Sequence, residues 1–191
     1  MLDWMKTARS LAEDPVAGFD PNAVTVSETV EIEAPARVVW DILCDMARYN
    51  EWNPFCIRAV STLEMGTAVE MTLLNYAAPG GLVPNLEYIC GFEPEKLLSW
   101  EMKWTEAWPY AARRDQIIEA TGPNSCRYHS TDAFFGESGI HVFRFAGPWV
   151  KRAFDDSARF EGASRNDPCR KPLKPLPSAS ALLKTARISV T

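Results

Sequence analysis

Residues 33–55 read EAPARVVWDILCDMARYNEWNPF and follow directly on an alternating run. In that run Val24, Val26, Val30 and Ile32 fall on one face, and Thr25, Ser27, Thr29, Glu31 and Glu33 on the other. A period of two is that of a half-buried strand. Glu28 is the exception, a carboxylate on the apolar side. Pro35 then opens a helix in which Val38, Val39, Ile42, Leu43 and Met46 recur at helical spacing. A short second helix through 48–52 completes a helical hairpin, closed by Trp52-Asn53-Pro54.

Downstream the period returns to two, punctuated by turn signals. Strands are expected over 55–63, 67–74, 85–93, 96–104, 113–120 and 125–135, with a loop over 75–84 around Pro79-Gly80-Gly81. Gly122-Pro123-Asn124-Ser125 marks a hairpin between the last two. With the first strand these make seven, joined by hairpin-length links, which implies one strongly curved antiparallel sheet in an α+β fold. The final element is an amphipathic helix from Pro148 to about Arg165, in which Trp149, Ala153 and Phe160 form an apolar stripe widened by Val150 and Phe154. Lys151 with Asp155, and Arg152 with Asp156, are spaced for ion pairing on its other side. Eighteen residues of helix reach ~27 Å, enough to cross such a sheet. Three segments result: an extension over 1–23 with Leu2, Met5, Ala8 and Ala12 on one helical face, a domain over 24–165, and a Pro-rich tail over 166–191.

Composition narrows the function classes. A chain of 191 residues suits one domain plus tails. Net charge −5 and a pI near 5.1 argue against a nucleic-acid surface. No apolar run approaches the ~20 residues that span a bilayer. The amino-terminal residues MLDWMKTARSLAED lack the segments of a secretory signal, so a cytoplasmic protein is expected. Five cysteines without a C-x-x-C pair read as small core residues. His129 and His141 are the only histidines and no metal-ligand spacing surrounds them, so no metal site is expected. No G-x-G-x-x-G follows a strand, and Gly136-Glu137-Ser138-Gly139 misses the nucleophile-elbow pattern by one position. No cofactor is expected, and a homodimer is left open.

The stretches IEAPARVVWDILCD, YNEWNPF, FEPEKLLSW and FAGPWVKRAF together resemble the START-related helix-grip (SRPBCC) superfamily, in its polyketide cyclase/dehydratase-like branch. The resemblance covers roughly residues 24–165. It departs at GASRNDPCRK, where the charged, Leu-rich finish usual for the last helix is missing. It implies a helix-grip fold: a curved antiparallel sheet of six to seven strands around a long C-terminal helix, with a short helical hairpin after the first strand. It also implies an apolar cavity between sheet and helix. The motifs build the scaffold and carry no catalytic signature. Three functions follow: a carrier of a hydrophobic, aromatic or polyketide/isoprenoid-like molecule, a cofactor-free cyclase/dehydratase using the same cavity, or an interaction module of chaperone-activator type.

Strand parity nominates the lining of such a cavity: Val69, Met71, Leu73, Tyr88, Phe92, Trp100, Met102 and Trp104. Arg114, Gln116, Tyr128, Ser130 and Asp132 share the inner parity, joined by Glu28 from the first strand. Buried polar groups are costly unless paired, so either they form an internal network or they meet a ligand. In the second case Arg114 holds an anionic or enol oxygen while Tyr128 and Asp132 move protons beside it.

Overall fold

A computed structural model describes residues 19–78, 80–103, 110–136 and 138–166. The expected amino-terminal helix, nearly all of the Pro-rich tail and Trp104 lie outside the described residues. In chain order the elements are β1 (Phe19–Val26), β2 (Val30–Ile32), α1 (Ala36–Cys44), a 3-10 turn (Met46–Arg48), α2 (Tyr49–Trp52), β3 (Cys56–Val60), β4 (Ala68–Leu74), β5 (Leu82–Glu93), β6 (Leu97–Met102), β7 (Ala111–Gly122), β8 (Ser125–Phe135) and α3 (Gly139–Asn166). The sheet runs β1-β8-β7-β6-β5-β4-β3, with β2 also on β8, and every pairing is antiparallel. The helix-grip α+β architecture is present, with α3 packed across β1, β8 and β2.

Three elements differ from the sequence expectation. The alternating run is two strands rather than one: β1 begins at Phe19, stops at Val26, and the chain resumes at Val30. The break inverts parity. Thr25 lies opposite Asp132 and is buried, whereas Val26 is exposed, and beyond the break Val30 and Ile32 face Tyr128 and Cys126. Glu28 sits in this break and is exposed, not in the interior. Its carboxylate is clamped by Arg159 of α3, with Nε at 2.8 Å. Its backbone N–H donates to Asp155 at 2.7 Å.

β5 begins at Leu82, inside the expected loop, and carries Pro84 opposite Thr72. Pairing with β6 starts only at Tyr88, so the missing N–H of Pro84 faces no ladder partner on that side.

α3 starts at Gly139, nine residues before Pro148, and its 28 residues span ~42 Å. Pro148 removes one helical hydrogen bond, to the carbonyl of Arg144. Both residues are exposed, so water can satisfy that carbonyl. Of the expected pairs on this helix, Lys151–Asp155 forms at 2.9 Å. Arg152 instead donates to the backbone oxygen of Tyr76, while Asp156 accepts from the Tyr76 hydroxyl at 3.0 Å.

The core has two parts. The first lies under the helical hairpin, where Val39, Leu43, Tyr49, Val69, Leu98, Trp100, Ile118 and Tyr128 are essentially inaccessible. The second lies under the first half of α3. There Ala23, Phe55, Ala112, Phe134, Ala146, Val150, Ala153 and Phe154 are buried, but Leu73, Tyr76, Met102, Tyr110, Ile140, Val142, Phe143 and Trp149 are only partly so. A well-packed core leaves few side chains half-covered. The second part is therefore the open end of the grip.

Candidate functional site

Register fixes what points into that open end, because residues paired across antiparallel strands project to the same face. Trp100, Arg114, Asp132 and Thr25 form one row across β6, β7, β8 and β1. Leu98, Gln116 and Ser130 form the next row. On the other side Val69 and Met71 pair with Glu87 and Asn85 of β5. The concave face of β5 thus carries Asn85, Glu87 and Ile89, and Leu86, Tyr88 and Cys90 lie on the convex face.

This corrects the parity expected for β5. Tyr88 stacks outside under the Lys103 ammonium, 4.7 Å from its ring centre. A bulge between Ile89 and Gly91 returns Phe92 to the concave side, where it meets Trp40 of α1 edge-on at 5.0 Å. Phe92 therefore packs on the hairpin, away from the open end. Gly91 beside the bulge lets β5 pass over β6: a Cβ there would sit 2.9 Å from the Ser99 hydroxyl.

The expected polar residues divide between the two parts of the core. Gln116, Tyr128 and Ser130 are sealed in the first. The Gln116 Oε1 accepts from the Tyr49 hydroxyl at 3.0 Å and the Tyr128 hydroxyl at 3.3 Å. Arg114 and Asp132 face the second. Met71 and Trp100 belong to the sealed part, Met102 to the open part, and Leu73 touches both.

Arg114 is the singular group of the site. Only 5 % of it is exposed, and its guanidinium lies 4.0 Å above the Phe154 ring and 5.7 Å from that of Trp100. Its Nε and Nη2 are buried and have no hydrogen-bond partner among the described residues. Desolvation pulls its pKa down, but Tyr128, Tyr49, Asp132 and Glu87 together outweigh this and hold it above the usual value. It is a cation at any working pH.

Two carboxyls accompany it, and neither forms a salt bridge with it among the described residues. Burial raises Asp132 well above the ordinary carboxylate range, with Glu87 adding to the shift and Arg114 opposing it. Burial likewise pushes Glu87 up to about 7, against the opposing effects of an Asn85 amide at 2.6 Å and of Arg114. Both side chains nonetheless keep accessible surface. Tyr110 completes the cluster, its pKa raised by burial and then by Asp132 and Glu87. Burial pushes the Cys56 thiol up to about 11 despite nearby Arg114, favouring its protonated form.

Glu87, Asn85 and Tyr110 were not legible as site residues from alternation, which favoured the apolar set on the other face of β5. The signal that finds Glu87 is the hairpin register: once Leu74 lies opposite Leu82, counting back puts Glu87 against Val69.

The raised Glu87 has a consequence for stability. Its folded pKa lies above the ordinary 4.5, so the folded chain holds more protons than the unfolded one between those values. Stability contributed by the neutral acid is full below the lower value and is lost as pH rises through about 7. Glu87→Gln should therefore be more stable than the parent at pH 8, by about 1–3 kcal/mol, and nearly equal to it at pH 4. Urea melts at the two pH values check this, and a parent–variant difference independent of pH would contradict it.

The sequence profile of a family described as polyketide cyclase / dehydrase and lipid transport matches residues 23–159. The chain belongs to that family. No curated protein matches it. Among solved structures it is similar to the Zhui aromatase/cyclase of a Streptomyces species, at 13% identity over 77% of this chain and 95% of that one, with a TM-score of 0.60. It is also similar to the di-domain aromatase/cyclase BexL, at 10% identity and a TM-score of 0.58 over 75% of this chain and 48% of that one, so this chain spans about half of the length of BexL. Truncated norcoclaurine synthase from Thalictrum flavum gives 16% identity, a TM-score of 0.54, and coverage of 79% and 96%. At such identities these structures report the fold alone. No described helix is long and apolar enough to cross a membrane.

Proposed function

We propose that this member of the family binds an aromatic or polyketide-like molecule between the sheet and the first half of α3, with an anionic or enol oxygen of the ligand seated on Arg114. The observation that carries this reading is the buried guanidinium with two unpartnered nitrogens, beside half-covered apolar side chains. A buried cation left without a hydrogen-bonded counter-charge is costly, and a ligand oxygen removes that cost. The flanking rings and thioethers, Phe154, Phe143, Trp149 and Met102, suit a flat, apolar body.

Titration with 2-naphthoate, read by quenching of tryptophan emission, tests it. Arg114→Met should weaken naphthoate by about 30-fold or more, the scale for removing one partner of a buried charge contact. It should spare a neutral aromatic probe such as naphthalene methanol. The empty variant should also be more stable than the parent, since an unsatisfied buried cation is gone. Unchanged naphthoate affinity in Arg114→Met would refute the assignment.

A second reading, a cofactor-free cyclase or dehydratase, is favoured by Asp132 lying beside Arg114 in the register, where burial raises its pKa and so favours the proton-bearing form. In that case Asp132→Asn should lower turnover of a polyketide-like substrate by roughly 10²-fold. In a carrier only affinity would move.

A further inference from the structure

Arg114 stands between two carboxyl groups that do not ion-pair with it. Asp132 is its register partner on β8, and Glu87 projects from β5, beyond the Trp100 strand on the opposite side. Among the described residues its neighbours on the remaining elements are uncharged: Trp100 on β6, the Phe154 ring on α3, and Thr25 on β1, opposite Asp132. The other described titratable groups within electrostatic reach of Arg114, Asp132 or Glu87 are Tyr110, Tyr128, Tyr49, Asp115 and Glu101, with the thiols of Cys56 and Cys90.

We infer that anion binding in this site is proton-linked: a ligand carrying a single negative oxygen group becomes the counter-ion of Arg114, and the Glu87–Asp132 pair takes up a proton as it does so. This rests on the proposed seat of the ligand on Arg114 and adds the ligand's charge class to it. In the empty protein, among the described residues, the concave side holds one fixed positive charge, Arg114, and two acids that share the task of balancing it. A monoanion on Arg114 makes their negative charge redundant and, in an interior of low dielectric, repulsive. The protonated carboxyl then gains an O–H with which to donate to a second ligand oxygen, such as a carbonyl or hydroxyl near the anionic group. A dianion would leave a second charge uncompensated, and a neutral aromatic would leave Arg114 unpaired. The site selects monoanionic aromatic acids and enolates. The raised affinity of both carboxyls for protons supports the same direction.

The experiment is calorimetric titration of the intact protein with 2-naphthoate, at fixed pH between 6.5 and 8 in two buffers of different ionisation enthalpy, alongside naphthalene methanol as the neutral control. The expected result is proton uptake with naphthoate that grows from a fraction of a proton near pH 6.5 toward about one at pH 8, where Glu87 starts ionised, with affinity falling up to about tenfold per pH unit on the alkaline side, and no uptake with the alcohol. Glu87→Gln and Asp132→Asn, which keep side-chain volume, should each reduce the uptake, and the double variant should abolish it. Naphthoate binding with zero uptake and no pH dependence would overturn the linkage while leaving the Arg114 seat intact. Binding of the alcohol but not of naphthoate would overturn both. Failure of both probes to bind would remove the apolar site itself, and the linkage with it. The proton count in the parent protein decides the matter even if a variant does not fold.

Discussion

Trp100→Ala should lower folding stability by about 3–5 kcal/mol, the range for truncating a fully buried aromatic side chain. Trp100 is 0 % exposed and is the largest of the fully buried side chains. Its ring stands 6.4 Å from that of Tyr49 and 5.7 Å from the Arg114 guanidinium. It belongs to the core under the helical hairpin and is also in reach of the group that heads the candidate site. Removing the indole leaves a void that Tyr49, Leu98 and Ile89 can only partly fill, because each is itself fixed by the hairpin or by sheet pairing. One term works the other way. The indole Nε1 is buried without a hydrogen-bond partner, so Trp100→Phe loses volume but also an unsatisfied donor. Trp100→Phe should accordingly cost much less than Trp100→Ala. Denaturant midpoints of the two variants check this. A Trp100→Ala protein with the parent's midpoint would mean that the ring borders accessible space and not close-packed core. Since domains of this size are stable by only ~5–15 kcal/mol, ligand titrations on Trp100→Ala are meaningful only beside such a measurement.

The fold was legible because the residues that encode it obey local rules. Pro35 and the helical spacing from Val38 to Met46 yield α1, and Gly122-Pro123-Asn124-Ser125 yields the β7–β8 turn, with Gly122 opposite Ser125. Part of the candidate site, Arg114 and Asp132, was legible for the same reason. β7 and β8 are regular from Ala111 to Ala120, so their parity correctly joined Arg114, Gln116, Tyr128, Ser130 and Asp132 on one face. What escaped is where periodicity is interrupted or misleading. The break over 27–29 flips β1 relative to β2 and carries Glu28 out to Arg159. On β5 the bulge between Ile89 and Gly91 and the polar concave residues Asn85 and Glu87 invert the usual signature. The more hydrophobic face of that strand is the outer one, with Leu86 49% exposed. A strand lining a polar part of a cavity looks inside-out to a rule that puts apolar residues inward. Pro148 misled in a different way, since a proline inside a helix is tolerated where its orphaned carbonyl reaches water.

Asp115→Ala should be as damaging as the loss of Trp100, at about 3–5 kcal/mol, although Asp115 faces away from the site. Residues 111–116 of β7 are buried on both faces. On the convex face Arg113 and Asp115 form an ion pair at 2.7 Å, each side chain only 2% exposed, and Arg113 Nη2 also reaches the Ser99 hydroxyl at 3.3 Å. Deleting the carboxylate takes an ion-pair partner from a guanidinium that cannot deprotonate in a desolvated position, which is the expensive way to break a buried pair. Replacing both partners by apolar residues of similar size, Arg113→Met with Asp115→Leu, should cost far less, because the desolvation of both charges is then avoided. The contrast between the single and double variants, measured by denaturant unfolding, isolates the pair. A single variant within about 1 kcal/mol of the parent would show that water reaches Arg113. The pair also bears on the site, since Arg113 and Asp115 bracket Arg114 on the same strand and hold it by its neighbours. If that hold positions the guanidinium, the double variant will fold yet bind 2-naphthoate less tightly. If strand pairing alone suffices, with Trp100 and Asp132 on either side of Arg114, the double variant will bind as the parent does.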